Sequence, residues 1–184
     1  MIEVSKTELE GVLVIRPYVF EDHRGQFVET YNRQLYARNG IDIDFVQDDI
    51  SISTRNVLRG IHGDSVTYKL LSCLHGKLYF VVVNCDTESK DFGKWQSFIL
   101  SDVSRMQVLV PPKHGNAYLV LSDQATFHYK QSTYYDRGKQ FTYKWDDPQL
   151  NIWWPTQNPT PVSYTHLRAH ETSLHLVCRL LLEK

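Results

Sequence analysis

Apolar and polar positions along this chain alternate mostly with a period of two, the spacing of a half-buried strand rather than a helix. In GQFVETYN (25–32), Phe27, Glu29 and Tyr31 oppose Gln26, Val28 and Thr30. GVLVIRPYVF, FVQDDISIS, KWQSFILS, RMQVLVPP, NAYLVLS, ATFHYKQSTYY and FTYKW read as further strands. YKLLSCL and KLYFVVVNCD are near-continuous apolar runs on either side of His75-Gly76, which reads as a hairpin turn between them. One segment breaks the pattern. NRQLYARNG (32–40) predicts a short helix, with Asn32 as N-cap and Gly40 as the stop. Turn residues recur at roughly 8–12-residue intervals, the mark of an all-β sandwich or barrel. A small double-sheet jelly roll places its ligand site between the sheets, so inward strand positions carry any chemistry.

Composition narrows the function classes. The chain has 184 residues, 42% hydrophobic and 22% charged, with a net charge of −1. One domain is expected, and neither a nucleic-acid surface nor a polybasic membrane patch is. No apolar run approaches the roughly 20 residues that span a bilayer. The N-terminus MIEVSKTELEG lacks the apolar stretch of a signal peptide. Three cysteines without a pairing pattern fit a reducing compartment, so the cytoplasm is expected.

Residues 162–184, VSYTHLRAHETSLHLVCRLLLEK, change style. They read, in one frame, as the translation of a transposase adapter used in short-read DNA libraries, then a barcode, then the adapter's continuation. Residues 1–161 are therefore expected to form the domain, truncated at its C-terminal end, and 162–184 a non-native tail.

The stretch NVLRGIHGD (56–64) poses the chemical question. His62 reads as a metal ligand, a base, or a turn residue. Metal-binding barrels usually pair two histidines two apart on one strand. Residues 1–161 contain no His-x-His, so no metal is expected. A base needs a group to stabilise the charge it creates and, for an inversion, an acid on the other face. Lys69 is a lone cation opening an apolar strand, and Tyr129 alternates in phase with Phe127 and Gln131. Arg59 alternates with Val57 and Ile61, on the strand face opposite His62. Each of these residues also fits a structural role.

The series VFEDHRGQFVETYN (19–32), FVQDDIS (45–51), NVLRGIH (56–62), KDFGKW (90–95), YKQSTYY (129–135) and KWDDPQLNIWWP (144–155) resembles the dTDP-4-dehydrorhamnose 3,5-epimerase family. The resemblance runs in order from about residue 10 to Pro161. It implies a cupin fold, a double-stranded β-helix jelly roll with one or two short helices, acting on nucleotide-linked 4-keto sugars. It implies a base at His62, an acid at Tyr129 and a cation facing the enolate oxygen at Lys69. Arg59 matches a substrate-positioning arginine. Phe20, Arg24 and Glu29 match a nucleotide- and diphosphate-binding stretch that family dimers lend to the neighbouring subunit. Gln47 and Tyr135 match polar substrate contacts. No metal or other cofactor is implied, and a homodimer with N-terminal strand exchange is.

Four departures stand out. Gly63 replaces the family's usual aromatic, which is expected to open space beside the sugar. Asn116 stands where the rhamnose enzymes carry a histidine, with His114 two residues earlier. Asp49 replaces a common asparagine in the substrate-contacting stretch. These three point to a branch acting on other nucleotide sugars, such as GDP-linked 4-keto heptoses. Finally, the aspartate that orients the family's base falls past the WP motif, where His166 stands. An imidazole cannot stabilise a histidinium as a carboxylate does, so the chain as written is expected to be impaired. A silent sugar-nucleotide-binding cupin and a cupin ketoisomerase remain as alternatives.

Overall fold

The computed structural model describes residues 1–162. Two antiparallel sheets face each other. The first has the order β1 (Ile2–Lys6), β2 (Leu13–Pro17), β10 (Gln107–Val110), β7 (Lys69–His75), β12 (Gln124–Gln131) and β5 (Gln47–Thr54). The second runs β13 (Phe141–Thr142), β6 (Val57–Gly63), β11 (His114–Val120), β8 (Lys77–Asn84) and β9 (Trp95–Ser101), with β14 (Thr160–Pro161) parallel to β6. Among the described residues, the strands β3 (Val19–Asp22) and β4 (Gly25–Val28) pair only with each other, as a separate hairpin. This is the expected jelly roll.

Alternation decides the layers. Leu71, Cys73, Val108, Ala125 and Phe127 of the first sheet meet Leu78, Phe80, Val82, Tyr118 and Phe98 of the second in the central core. The opposite phase of the second sheet, including Leu58, Ile61, Val81, Ala117 and Leu119, is covered by Leu150 and Trp154 and flanked by Phe141 and Tyr143. The outer face of the first sheet buries Ile15, Leu70 and Leu109 against Tyr36 and Ile41. Tyr36 belongs to α1 (Arg33–Arg38), which starts where predicted: the Asn32 side chain accepts from the Leu35 amide at 3.1 Å. Gly40 ends it with φ +85°, a left-handed conformation that favours glycine.

Three local expectations change. The run GVLVIRPYVF is two strands in two different sheets, parted at Tyr18. FTYKW contributes only the two-residue β13, and β1 joins the first sheet through MIEVSK, which periodicity did not mark. His75-Gly76 is not a hairpin turn. It links β7 in one sheet to β8 in the other. Gly76 has φ +80°, and a Cβ there would collide with the Gln124 carbonyl and the Ser122 hydroxyl. A corner between sheets and a hairpin both need such a glycine between apolar runs, so the local sequence does not distinguish them.

Candidate active site

The site lies between the sheets, at the end where the central core turns polar. On β6, His62 pairs in register with Asn116 and Arg59 pairs with Tyr118. Asn116 and Tyr118 are two apart and share the inward face, whereas residues 59 and 62 are three apart. The extra residue is a β-bulge, and it turns Arg59 and His62 to the same side. Gly60 absorbs it with φ +121°, packed so closely on Ala117 that a Cβ would overlap that residue. The expectation that Arg59 faces away from His62 is therefore wrong. Strict alternation fails at the bulge.

His62 is largely buried, and its Nδ1 lies 2.9 Å from the Thr142 hydroxyl of β13. Burial, reinforced by the charges of Lys69 and Arg59, pushes its pKa down from 6.5 to about 4. The imidazole is thus neutral at physiological pH, the form a base requires.

Across the gap, Lys69 begins β7 with only 7% of its surface exposed. Its Nζ lies 3.7 Å from Oδ2 of Asp64, itself 3% exposed. Burial draws the lysine pKa below its ordinary value, while Asp64 pulls it back up. Burial pushes the Asp64 carboxyl up. The amides of Val66 and Thr67, the Thr67 hydroxyl and the Lys69 charge outweigh that and hold it below the ordinary range. The two amides bond Oδ1 at 2.9 and 2.6 Å, and Gln140 donates to Oδ2 at 2.9 Å. Asp64 is thus locked in place as the counter-charge of Lys69.

Tyr129 stands on β12, between Asp49 of β5 and Leu71 of β7. Its ring meets Phe127 edge-on at 4.7 Å between centroids. Burial, with Tyr118 adding to it, raises its pKa above the usual phenol value, against the pull of Ser51 and Arg59. The phenol therefore keeps its proton at neutral pH, as an acid must. Its oxygen is 3.3 Å from Ser51 Oγ, which is 2.7 Å from the hydroxyl of Tyr118. Tyr118 is 3.3 Å from Ser53 Oγ, and Arg59 Nε donates to Ser53 Oγ at 3.0 Å.

The remaining expected residues divide. Gln47 and Asp49 flank Tyr129 on β5. Asp49 Oδ2 accepts from Gln47 at 2.7 Å and from Gln131 at 2.8 Å, and Gln47 Oε1 accepts the Tyr135 amide at 2.8 Å. The Tyr135 side chain itself is largely exposed, at the rim of a cavity of about 80 Å³ that Asp64, Gln131, Lys139 and Gln140 also line. Asn116 is buried opposite His62. Phe20, Arg24 and Glu29 are not brought to this site. Phe20 and Arg24 sit on the separate β3–β4 hairpin and Glu29 just beyond it, all exposed. Arg24 is engaged with Asp22, and Glu29 with Asn32.

Gly63 also departs from expectation. Position 63 follows the inward His62 and points outward, where a side chain would overlap the His114 carbonyl and the Phe141 ring. No room beside a sugar is gained there. Asp64, Thr142, Ser51, Ser53 and Tyr118 escaped the sequence reading. Only Ser51 and Ser53 carried a signal, as polar residues in phase with Gln47 and Asp49. The expected role of His166 lies outside the described residues, as does the expected tail beyond Val162. Among the described residues no group of three or more His, Cys, Asp or Glu is placed to hold a metal ion.

A neutral imidazole on one sheet thus faces the same gap as a protonated phenol on the other, with a paired ammonium beside them. The family model of dTDP-4-dehydrorhamnose 3,5-epimerase matches residues 6–172. The chain belongs to the dTDP-4-dehydrorhamnose 3,5-epimerase family. It is 38% identical to that enzyme of Shigella flexneri over 162 residues, covering 86% of this chain and 90% of the relative. It is 39% identical to the Escherichia coli K12 enzyme over 158 residues, covering 84% and 85%. Among solved structures it is similar to the dTDP-6-deoxy-D-glucose-3,5-epimerase of Legionella pneumophila Philadelphia 1 in complex with dTDP-4-keto-L-rhamnose. The TM-score there is 0.84 at 34% identity, covering 89% of each chain.

Proposed function

We propose that this epimerase-family protein inverts C3, C5 or both in a nucleotide-diphospho-4-keto-6-deoxy sugar, for surface-polysaccharide synthesis. The observation that carries the reading is the placement of His62 and Tyr129 on facing sheets, with Lys69 on β7, the strand beside that of Tyr129, close enough for its charge to act on His62. The C4 carbonyl acidifies both flanking C–H bonds. The neutral His62 takes one proton, and the electron pair moves onto the carbonyl oxygen as an enolate. The Lys69 ammonium stabilises that oxygen in a site screened from water, where a fixed charge contributes several kcal/mol. Tyr129 then protonates the same carbon from the other side, so the centre inverts.

Arg59, Gln47, Asp49, Asn116 and Tyr135 are proposed to position the sugar. Phe20, Arg24 and Glu29 are proposed to hold the nucleotide and diphosphate in the site of a second copy. The exposed aromatic hairpin, with Phe20 57% and Phe27 70% exposed and no further strand partner among the described residues, supports that homodimer. The cytoplasm, where nucleotide sugars are soluble substrates, is the proposed compartment. No helix among the described residues is long and apolar enough to cross a membrane.

The deciding experiment incubates the protein with dTDP-4-keto-6-deoxyglucose in heavy water and follows deuterium by NMR. Wash-in at C3 and C5 with inverted product marks a 3,5-epimerase, and wash-in at one carbon a single-centre enzyme. No wash-in with retained binding would make the protein a silent binder and end the proposal. A carbonyl moved to C3 would make it a ketoisomerase.

A further inference from the structure

The hydroxyls behind Tyr129 form a continuous path to a cation. From Arg59 the contacts run through Ser53, Tyr118 and Ser51 to the Tyr129 oxygen, at 3.0, 3.3, 2.7 and 3.3 Å. Tyr118 is 1% and Ser53 5% exposed, so water does not compete for the middle of the path. We propose that Ser53, Tyr118 and Ser51 are positioning residues, a polarised relay that orients the Tyr129 hydroxyl toward the substrate and spreads its developing negative charge toward Arg59.

The direction of the relay follows from counting protons. A guanidinium donates and has no acceptor, so Ser53 Oγ accepts from Arg59. Each hydroxyl in the path has one proton to give. If Ser53 donates to Tyr118, Tyr118 to Ser51 and Ser51 to Tyr129, every link is made and the Tyr129 proton is left for the substrate. Run the other way, Tyr129 spends its proton on Ser51, Ser53 accepts twice, and nothing faces the sugar. Only the first arrangement serves an acid. When Tyr129 gives up its proton, the phenolate already accepts from Ser51, whose oxygen is polarised by Tyr118 behind it. The guanidinium does not release a proton, so the relay stabilises charge and does not conduct protons. The next proton reaches Tyr129 from solvent.

The inference rests on Tyr129 being the acid, and its test has one arm that needs no substrate. A fluorinated tyrosine at position 129 lowers the phenol pKa enough to titrate in the folded protein, followed by fluorine NMR. Tyr118→Phe keeps the ring that packs on Phe127, with centroids 4.5 Å apart, and removes only the hydroxyl. That variant serves the kinetic arm below, and the titration arm uses Ser51→Ala, which removes the hydroxyl in contact with the Tyr129 oxygen. Ser51→Ala is expected to raise the titration point of residue 129 by about one pH unit, as loss of a hydrogen bond to the charged form does. An unchanged or lowered titration point in Ser51→Ala overturns the relay.

The second arm uses the nucleotide 4-keto sugar. Tyr118→Phe should lower kcat for inverted product roughly tenfold with KM unchanged, while His62-dependent deuterium wash-in persists. The double variant Tyr118→Phe/Tyr129→Phe should be no slower than Tyr129→Phe alone. Additive losses, or a change in KM only, overturn the proposal. A wild-type protein that exchanges nothing would instead refute the epimerase reading, and the titration arm would still judge the relay.

Discussion

The gap around His62 and the β3–β4 hairpin are built in opposite ways. In the gap, polar groups are buried and joined to one another. Asp64 alone meets two backbone amides, Gln140 and Lys69, and burial shifts His62, Lys69 and Tyr129 from their ordinary pKa values. On the hairpin, Phe20 and Phe27 are exposed aromatics, with exposed Tyr18 just before it, and Arg24 pairs in open solvent with Asp22 two residues away. A buried network holds its geometry before anything binds, so it suits groups that must meet a reacting carbon. A solvated pair and bare rings gain order only when something covers them, which suits a surface lent to another molecule. The proposed division of labour is chemistry in the gap and nucleotide on the hairpin.

The largest effects should come from the gap. His62→Ala is expected to lower turnover about 10²–10⁴-fold, the usual contribution of a positioned base, with deuterium wash-in lost as well. Tyr129→Phe should abolish inversion yet leave wash-in, and equal loss of both would break the assignment of separate base and acid. Asp64→Asn leaves Lys69 buried without its counter-charge. About 3–5 kcal/mol of stability should be lost, read by denaturant unfolding, because an uncompensated buried charge is costly. A midpoint unchanged from wild type would show that the pair is not the anchor described here.

The hairpin should respond differently. Arg24→Ala is expected to raise KM on the order of tenfold, as a lost charge-assisted contact to diphosphate would, without moving the melting temperature. If the hairpin serves a second copy, mixing inactive His62→Ala subunits with Arg24→Ala subunits should yield some intact sites. No recovery on mixing would place the nucleotide contacts elsewhere. Smaller again is the pH effect. Because His62 is held at about 4 rather than 6.5, the acid limb of kcat/KM should fall near pH 4–5. The same group contributes stability that is complete above pH 6.5 and declines as pH drops toward 4, since the unfolded chain takes up the proton first. An acid limb at 6.5 would mean that the imidazole is not held neutral.

Alternation made the two-sheet architecture legible, because a jelly roll buries every second residue of most strands. The helix was legible from Asn32 and Gly40, whose capping roles are local. Lys69 was legible as a cation at the head of an apolar strand. Arg59 was misplaced because one bulge residue reverses the side-chain phase, and Gly63 because its outward direction depends on that same bulge. Asp64, Thr142 and Tyr118 gave no signal at all. Their importance lies in partners far along the chain: Thr142 lies 80 residues from His62, and Tyr118 lies 67 from Ser51.

The sequence by itself determined the period, the cap and the motif series, and with them the sheets and the residue types available for chemistry. Each of those is written over a few neighbouring residues. Only the tertiary structure decided which strands face each other, that Gly76 turns a corner rather than a hairpin, and that Arg59 joins His62. Those outcomes depend on packing between distant segments, where burial sets the charge states and a single inserted residue sets the direction of a side chain.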